Sequence, residues 1–205
     1  MIGCMSATLS QEIAVAAAQF VVEDGMEYAE ARHKAARKLG GRAVKPGQMP
    51  RNDEIEDEVR AYLATFHAER QPQELRALRE LAARWLDRLA AHRPHLAGAV
   101  WRGTATRRSA LLIDLYCDDP KSAEIDLINQ GLDFDAGGNG DAAAGQVPVL
   151  TLGARVPGWP EPVTVHLLMH DLDDLRGALK PDARGRSWRG DRAALQRLLA
   201  AEDAP

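Results

Sequence analysis

The residue types most suited to chemistry fall in one stretch of the 205-residue chain: Gly103-Thr104, nine further residues, then Asp114-Leu115-Tyr116. Glycine lets a backbone approach a phosphate closely, and the hydroxyls of Thr104 and Ser109 can contact phosphate oxygens. Side chains two apart on a strand share one side, so groups at 114 and 116 would face the same ligand. Position 116 is a tyrosine, so Asp114 is the acidic group there. An aspartate in so apolar a run needs a partner, and Arg102, Arg107 and Arg108 are the arginines nearest in sequence. Asp118 and Asp119 follow, and Asp118 could serve as a displaced metal ligand. Asp119, directly before Pro120, fits the N-cap of a helix. His166 is the ligand-type residue of the later run Val163 to Leu167. His166, His170 and Asp171 lack the glutamate of a zinc-protease helix and read as core or surface residues. Cys117 reads as a buried thiol, and Cys4 with Cys117 forms neither a disulfide framework nor a metal pattern.

The stretch GTATRRSALLIDLYCDDP resembles the signature of the DNA polymerase β-like nucleotidyltransferase superfamily, over about residues 98 to 170. That signature has a Gly followed by Gly or Ser, about ten residues, an Asp-hydrophobic-Asp/Glu strand, and a third carboxylate on a later strand. The resemblance makes Asp114 the catalytic candidate and implies nucleotide binding at Gly103, Thr104 and Ser109. It also implies Mg²⁺ held by carboxylates, steadying the attacking and leaving oxygens of an in-line phosphoryl transfer. This chain departs from the pattern at Thr104, at Tyr116 and on the later strand, where His166 stands without a carboxylate. One carboxylate cannot hold two Mg²⁺ through protein ligands, so Asp114, Asp118 and His166 make an incomplete metal set. The implied protein is a degenerate nucleotidyltransferase-like domain with at most weak nucleotide binding or transfer. The same stretch and the helices before it resemble a group of bacterial proteins carrying such a domain.

A net charge of −4 divides into +3 over residues 1–110 and −7 over residues 111–205. Between Glu30 and Arg51, seven bases (Arg32, Lys34, Arg37, Lys38, Arg42, Lys45 and Arg51) face one acid. Such a run could contact nucleic-acid phosphates or a protein partner, which is the alternative reading of function. Against it, the run lacks interleaved aromatics for base stacking and is followed by an acidic helix start. The 21 arginines against 5 lysines reflect the base composition of a GC-rich genome. With 45% hydrophobic and 27% charged residues, the chain is neither disordered nor membrane-spanning. The N-terminal residues lack the basic and apolar regions of a secretion signal, and the expected location is cytoplasmic.

The elements expected to position these residues are α+β: a helical bundle over 1–95, then a small mixed sheet with flanking helices over 96–205, residues 1–9 being unstructured. Ser10 should cap a first helix, and Gly25 should end it. A second helix runs from about Glu27 to Leu39. A third opens at Asn52 or Asp53 with the stripe Ile55, Val59, Tyr62, Leu63 and Phe66. A fourth follows Pro72 and closes by Pro94. Ala99 to Trp101 reads as a short strand and Ala110 to Cys117 as a central one. Pro120 opens a helix, Leu132 to Phe134 begins another strand, and the glycine-rich run Ala136 to Gln146 is a loop. Val147 to Leu152 and Val163 to Met169 form a hairpin, and a last helix spans about Asp191 to Ala201.

Overall fold

The computed structural model describes residues 8–40, 44–137, 147–182 and 184–203, and divides into two compact units, 1–72 and 73–205. The class is α+β. Three helices build the first unit: α1 (Leu9–Asp24), α2 (Tyr28–Gly40) and α3 (Asn52–Phe66). The cap of α1 is Thr8 rather than Ser10, because Thr8 and Gln11 satisfy each other's backbone groups in a capping box. Gly25 ends α1 in the left-handed region at φ 70°. At α3 the Glu54 carboxylate accepts from Arg51 N at 2.6 Å, satisfying a donor at the helix start. Ile13, Ala17, Val21, Ala31, Ala35, Ile55 and Val59 form the core of this unit. The α3 stripe stops short of Phe66, which is 64% exposed. Glu56 is buried in the same helix, its charge met by Arg60 Nη2 at 2.8 Å.

The second unit holds all but the first two residues of α4 (Gln71–Arg88), followed by β1 (His95–Ala97), α5 (Gly98–Arg102), β2 (Leu111–Cys117) and α6 (Pro120–Asn129). Strands β3 (Asp135–Gly137), β4 (Val149–Ala154) and β5 (Val163–Asp171) come next, then α7 (Leu175–Ala178), β6 (Arg189–Gly190) and α8 (Arg192–Glu202). Spatial order in the sheet is β3-β4-β5-β2-β1-β6, with β2 and β5 parallel and every other pair antiparallel. Helix α4, expected in the helical half, shares its core with this sheet: Leu78, Leu81, Trp85 and Leu86 join Ile113, Leu115, Val165 and Leu167. The β4–β5 hairpin has the expected form, and Asp119 caps α6 by accepting from Lys121 N at 3.0 Å.

The expected strand at Ala99 to Trp101 is instead α5. Gly98, at φ +66°, turns the chain against Leu112 after only three residues of strand. Arg79, buried on α4, holds the free carbonyls at the end of α5, donating to Val100 O and Trp101 O at 3.2 Å each and pairing with Glu202. Leu132 to Phe134 lead into β3 rather than beginning it. Most of the Ala136 to Gln146 run lies outside the described residues, as do Cys4 and Arg42.

Strand alternation gives the sheet two different faces. Leu111, Ile113, Leu115, Cys117, Val165, Leu167 and Met169 point into the helix-covered core. The opposite set carries His95, Leu112, Asp114, Tyr116, His166, Leu168 and His170. Position in the pleat therefore puts Asp114, His166 and His170 on one face.

Candidate functional site

Asp114 lies at the middle of β2, 3% exposed, between His95 on β1 and Leu168 on β5. Each of its carboxylate oxygens has a different neighbour. His170 Nε2 donates to Oδ1 at 2.8 Å, and Arg189 Nη1 stands 2.8 Å from Oδ2. The arginine contact is an ion pair without an aligned hydrogen bond, and Nη1 also donates to the Tyr116 hydroxyl. Arg102, Arg107 and Arg108 are not the partners of Asp114: Arg102 pairs with Asp182 at 3.1 Å and donates to Ser187 O. A residue far along the chain reaches Asp114 first because β6 closes the edge of the sheet beside β1.

Tyr116 is fully buried and joins three groups. Its ring stacks on His170 with centroids 5.2 Å apart, meets His95 edge-on at 5.4 Å, and its hydroxyl accepts from Arg189. Burial, and then the charge of Asp114, push the phenol above its ordinary value. His95 Nδ1 is 2.9 Å from Arg93 O. The result is a connected polar network of five side chains on the face of the sheet away from its apolar core.

The predicted nucleotide-binding residues occupy the connection between α5 and β2. Gly103 is the left-handed C-cap of α5 at φ 78°, where a Cβ would come within 3.4 Å of Arg79 Nη2. Thr104 is buried, its N–H donating to Ala99 O at 2.9 Å. Ser109 closes a turn: its Oγ accepts from Thr106 N at 3.1 Å, and its N–H donates to Thr106 O. The glycine thus serves a helix end, and the serine hydroxyl a turn.

The three predicted metal ligands each meet different surroundings. Asp114 is engaged as described, Asp118 is exposed, and His166 Nδ1 lies 2.9 Å from Thr151 Oγ1 on β4. Burial lowers the His166 pKa below the ordinary imidazole value. Among the described residues, no three His, Cys, Asp or Glu side chains stand where they could hold a metal ion together. A two-Mg²⁺ centre does not fit this residue set, since Asp114 is flanked by Arg189 and His170 and Tyr116 offers a hydroxyl already bonded to a cation. Cys117 is buried, and burial followed by the charges of Asp119 and Asp118 raises its thiol pKa, which suits packing rather than nucleophilic use.

Sequence reasoning passed over Arg189 and saw His170 only as part of a loose cluster with His166 and Asp171. The even spacing of His166, Leu168 and His170 places all three on one face once β5 is a strand. Register then decides which of them meets Asp114. An open hollow of about 490 Å³ lies in the turn after β5, lined by Leu172, Asp173, Leu175, Arg176 and Leu179, none of them a predicted site residue.

In the first unit the basic run is partly engaged internally. Arg32 donates to Asn52 Oδ1 and Pro50 O, Lys34 pairs with Asp24 at 3.0 Å and lies over the Phe20 ring, and Arg51 pairs with Asp53. Arg37, Lys38 and Lys45 are exposed. No described helix is long and apolar enough to cross a membrane.

No family model matches the chain, and no curated protein matches it. Three solved structures of the Cid1 poly(U) polymerase are similar to part of it. The MgGTP-bound form has 13% identity over 47% of this chain and 32% of that chain, with a TM-score of 0.36. The complex with the UTP analogue UMPNPP has 12% identity over 56% and 36%, with a TM-score of 0.35. The complex with the short product ApU has 15% identity over 58% and 38%, with a TM-score of 0.36. This chain spans about a third of the length of the solved structures it matches.

Proposed function

We propose that the second unit is a degenerate nucleotidyltransferase-like domain of a bacterial, cytoplasmic protein, binding nucleotide weakly and without a two-Mg²⁺ centre. The observation that supports this best is the state of Asp114, the one carboxylate in the motif that the sequence shares with that superfamily. It is held by His170 and Arg189 at 2.8 Å each, with Tyr116 in the neighbouring ligand position. Each Mg²⁺ prefers six oxygens in near-octahedral geometry, and a carboxylate paired to a guanidinium offers a metal little. Gly103, Thr104 and Ser109 remain the proposed nucleotide contacts.

Titration calorimetry with nucleoside triphosphates, with and without Mg²⁺, tests the reading directly. Weak binding that is little changed by Mg²⁺ is expected, together with no robust transfer of labelled nucleotide to protein or RNA. Mg²⁺-dependent transfer abolished by Asp114→Asn would overturn it, because the carboxylate would then be working as a metal ligand.

A second reading rests on the exposed Arg37, Lys38 and Lys45: the helical unit could contact nucleic-acid phosphates or an acidic protein surface. Neutralised phosphates release counterions, so binding should weaken steeply with salt. Replacing Arg37, Lys38 and Lys45 by Ala should reduce the salt slope by about one unit per lost contact. A chain that is not retained on heparin or DNA at low salt lacks this activity.

A further inference from the structure

We propose that the last turn of α8 is a charge-held latch on the Gly103 turn, with Arg79 of α4 as the positioning residue between them. Releasing that turn of α8 would loosen the segment that carries Gly103, Thr104 and Ser109. The consequence for ligand binding rests on the nucleotide reading above, whereas the coupling itself does not.

The need for Arg79 follows from the shortness of α5. A helix of five residues leaves its last carbonyls without N–H partners from its own turns. The N–H groups of Gly103 and Thr104 both turn back to Ala99 O, which leaves Val100 O and Trp101 O for another donor. Arg79 supplies it from one edge of its guanidinium, Nε to Val100 O and Nη2 to Trp101 O, each at 3.2 Å. Val100 is fully buried, so its carbonyl would have no water to replace that donor. Gly103 lies against the same group, since a Cβ there would stand 3.4 Å from Arg79 Nη2.

The other terminal nitrogen of Arg79, Nη1, pairs with Glu202, the last residue of α8. A guanidinium is planar, so a carboxylate that fixes Nη1 also fixes the direction of the opposite edge. Charge rather than packing holds Glu202 in place. Leu195 is buried and Leu199 packs partly on the core, but Ala200 and Ala201 beyond them are exposed. The helix ends in Glu202 and Asp203 with no basic residue in its last turn, where the negative end of the dipole disfavours acids. Two arginines of α4 answer them: Arg79 takes Glu202, and Arg76 takes Asp203 as well as Glu80. The ends of α5 and α8 therefore share one buried cation, and what loosens the second reaches the first.

Amide hydrogen exchange of the full chain tests the latch, with Glu202→Gln removing the charge and keeping the size. Exchange at Gly103 and Thr104 is expected to quicken about tenfold, the worth of one charged hydrogen bond. Ile113, paired on both sides in the sheet, should exchange as in the wild type, and Asp203→Asn should leave all three amides unchanged. Arg79→Lys keeps a charge for Glu202 without the paired donors, so it should quicken Gly103 and Thr104 as well. Unchanged exchange at those two amides in Glu202→Gln or Arg79→Lys overturns the proposal. So does an equal quickening at Ile113, which would mean a general loss of stability, or an Asp203→Asn variant that matches Glu202→Gln. Calorimetry with ATP, GTP, CTP and UTP supplies the functional arm: Glu202→Gln should bind several-fold more weakly. Equal affinity in the two proteins overturns the link from latch to ligand. Failure of every nucleotide to bind the wild type overturns the nucleotide reading, and exchange still decides the latch separately.

Discussion

The two faces of the second unit's sheet are made by the same strands and use opposite chemistry. Along β5, Val163, Val165, Leu167 and Met169 are buried against the core, while Thr164, His166, Leu168 and His170 alternate with them on the other side. Along β2, Ile113 and Leu115 pack into the core, and Asp114 and Tyr116 between and beyond them carry the polar network. The core face is held by apolar area, which tolerates changes of shape poorly but has no directional demands. The polar face is held by a few directed contacts, so removing one group leaves another buried without its partner. A one-residue slip in register would exchange the two faces and lose both.

The largest effect that sharpens this comparison is expected on the core face. Ile113 is fully buried, and Ile113→Ala should cost about 3–4 kcal/mol through lost transfer energy and a residual cavity. The exposed Thr164 on the opposite face should give Thr164→Ala an effect within about 0.5 kcal/mol. Urea midpoints for the two variants measure the contrast, and comparable losses would break it.

A smaller effect is expected at the centre of the polar face. Asp114→Ala should destabilise by roughly 2–3 kcal/mol, below the usual cost of breaking a buried pair because Arg189 keeps some solvent contact. Asp114→Asn should cost less, since the amide oxygen can still accept from His170. Equal losses for Ala and Asn would show that size, not hydrogen bonding, governs the position.

The smallest expected effect concerns pH. Burial lowers the His166 pKa in the folded chain below the unfolded value of about 6.5. The unfolded chain therefore binds more protons as pH falls, so stability is intact above that value and declines below it. His166→Gln should make stability between pH 7 and 5 less steeply dependent on pH. An unchanged slope would assign the acid sensitivity to other groups.

Much of the local structure was legible because short-range rules decide it. Gly25 and Asp119 terminate their helices by backbone geometry and capping, and the alternation in Val163 to Met169 announces a half-buried strand. The apolar run Ala110 to Cys117 announced the strand that carries Asp114. Where reading failed, longer-range packing won. Ala99 to Trp101 has strand-forming residues, but Gly98 turns against Leu112, and Arg79 from α4 holds the carbonyls of the helix that follows. Helix α4 carries the same apolar stripe whether it packs on helices or on a sheet, so its periodicity could not say which it joins.

By itself, the sequence determined that the first part of the chain is helical, that β2 is a central apolar strand with a single acidic residue, and that a tyrosine stands two residues beyond that acid. Those are matters of residue type and periodicity. Only the tertiary structure decided which groups Asp114 meets. The parallel register of β2 with β5 selects His170 over His166, and the edge strand β6 delivers Arg189 from 75 positions downstream. A buried charge takes the partner that the fold brings within reach, and sequence separation carries no information about that distance.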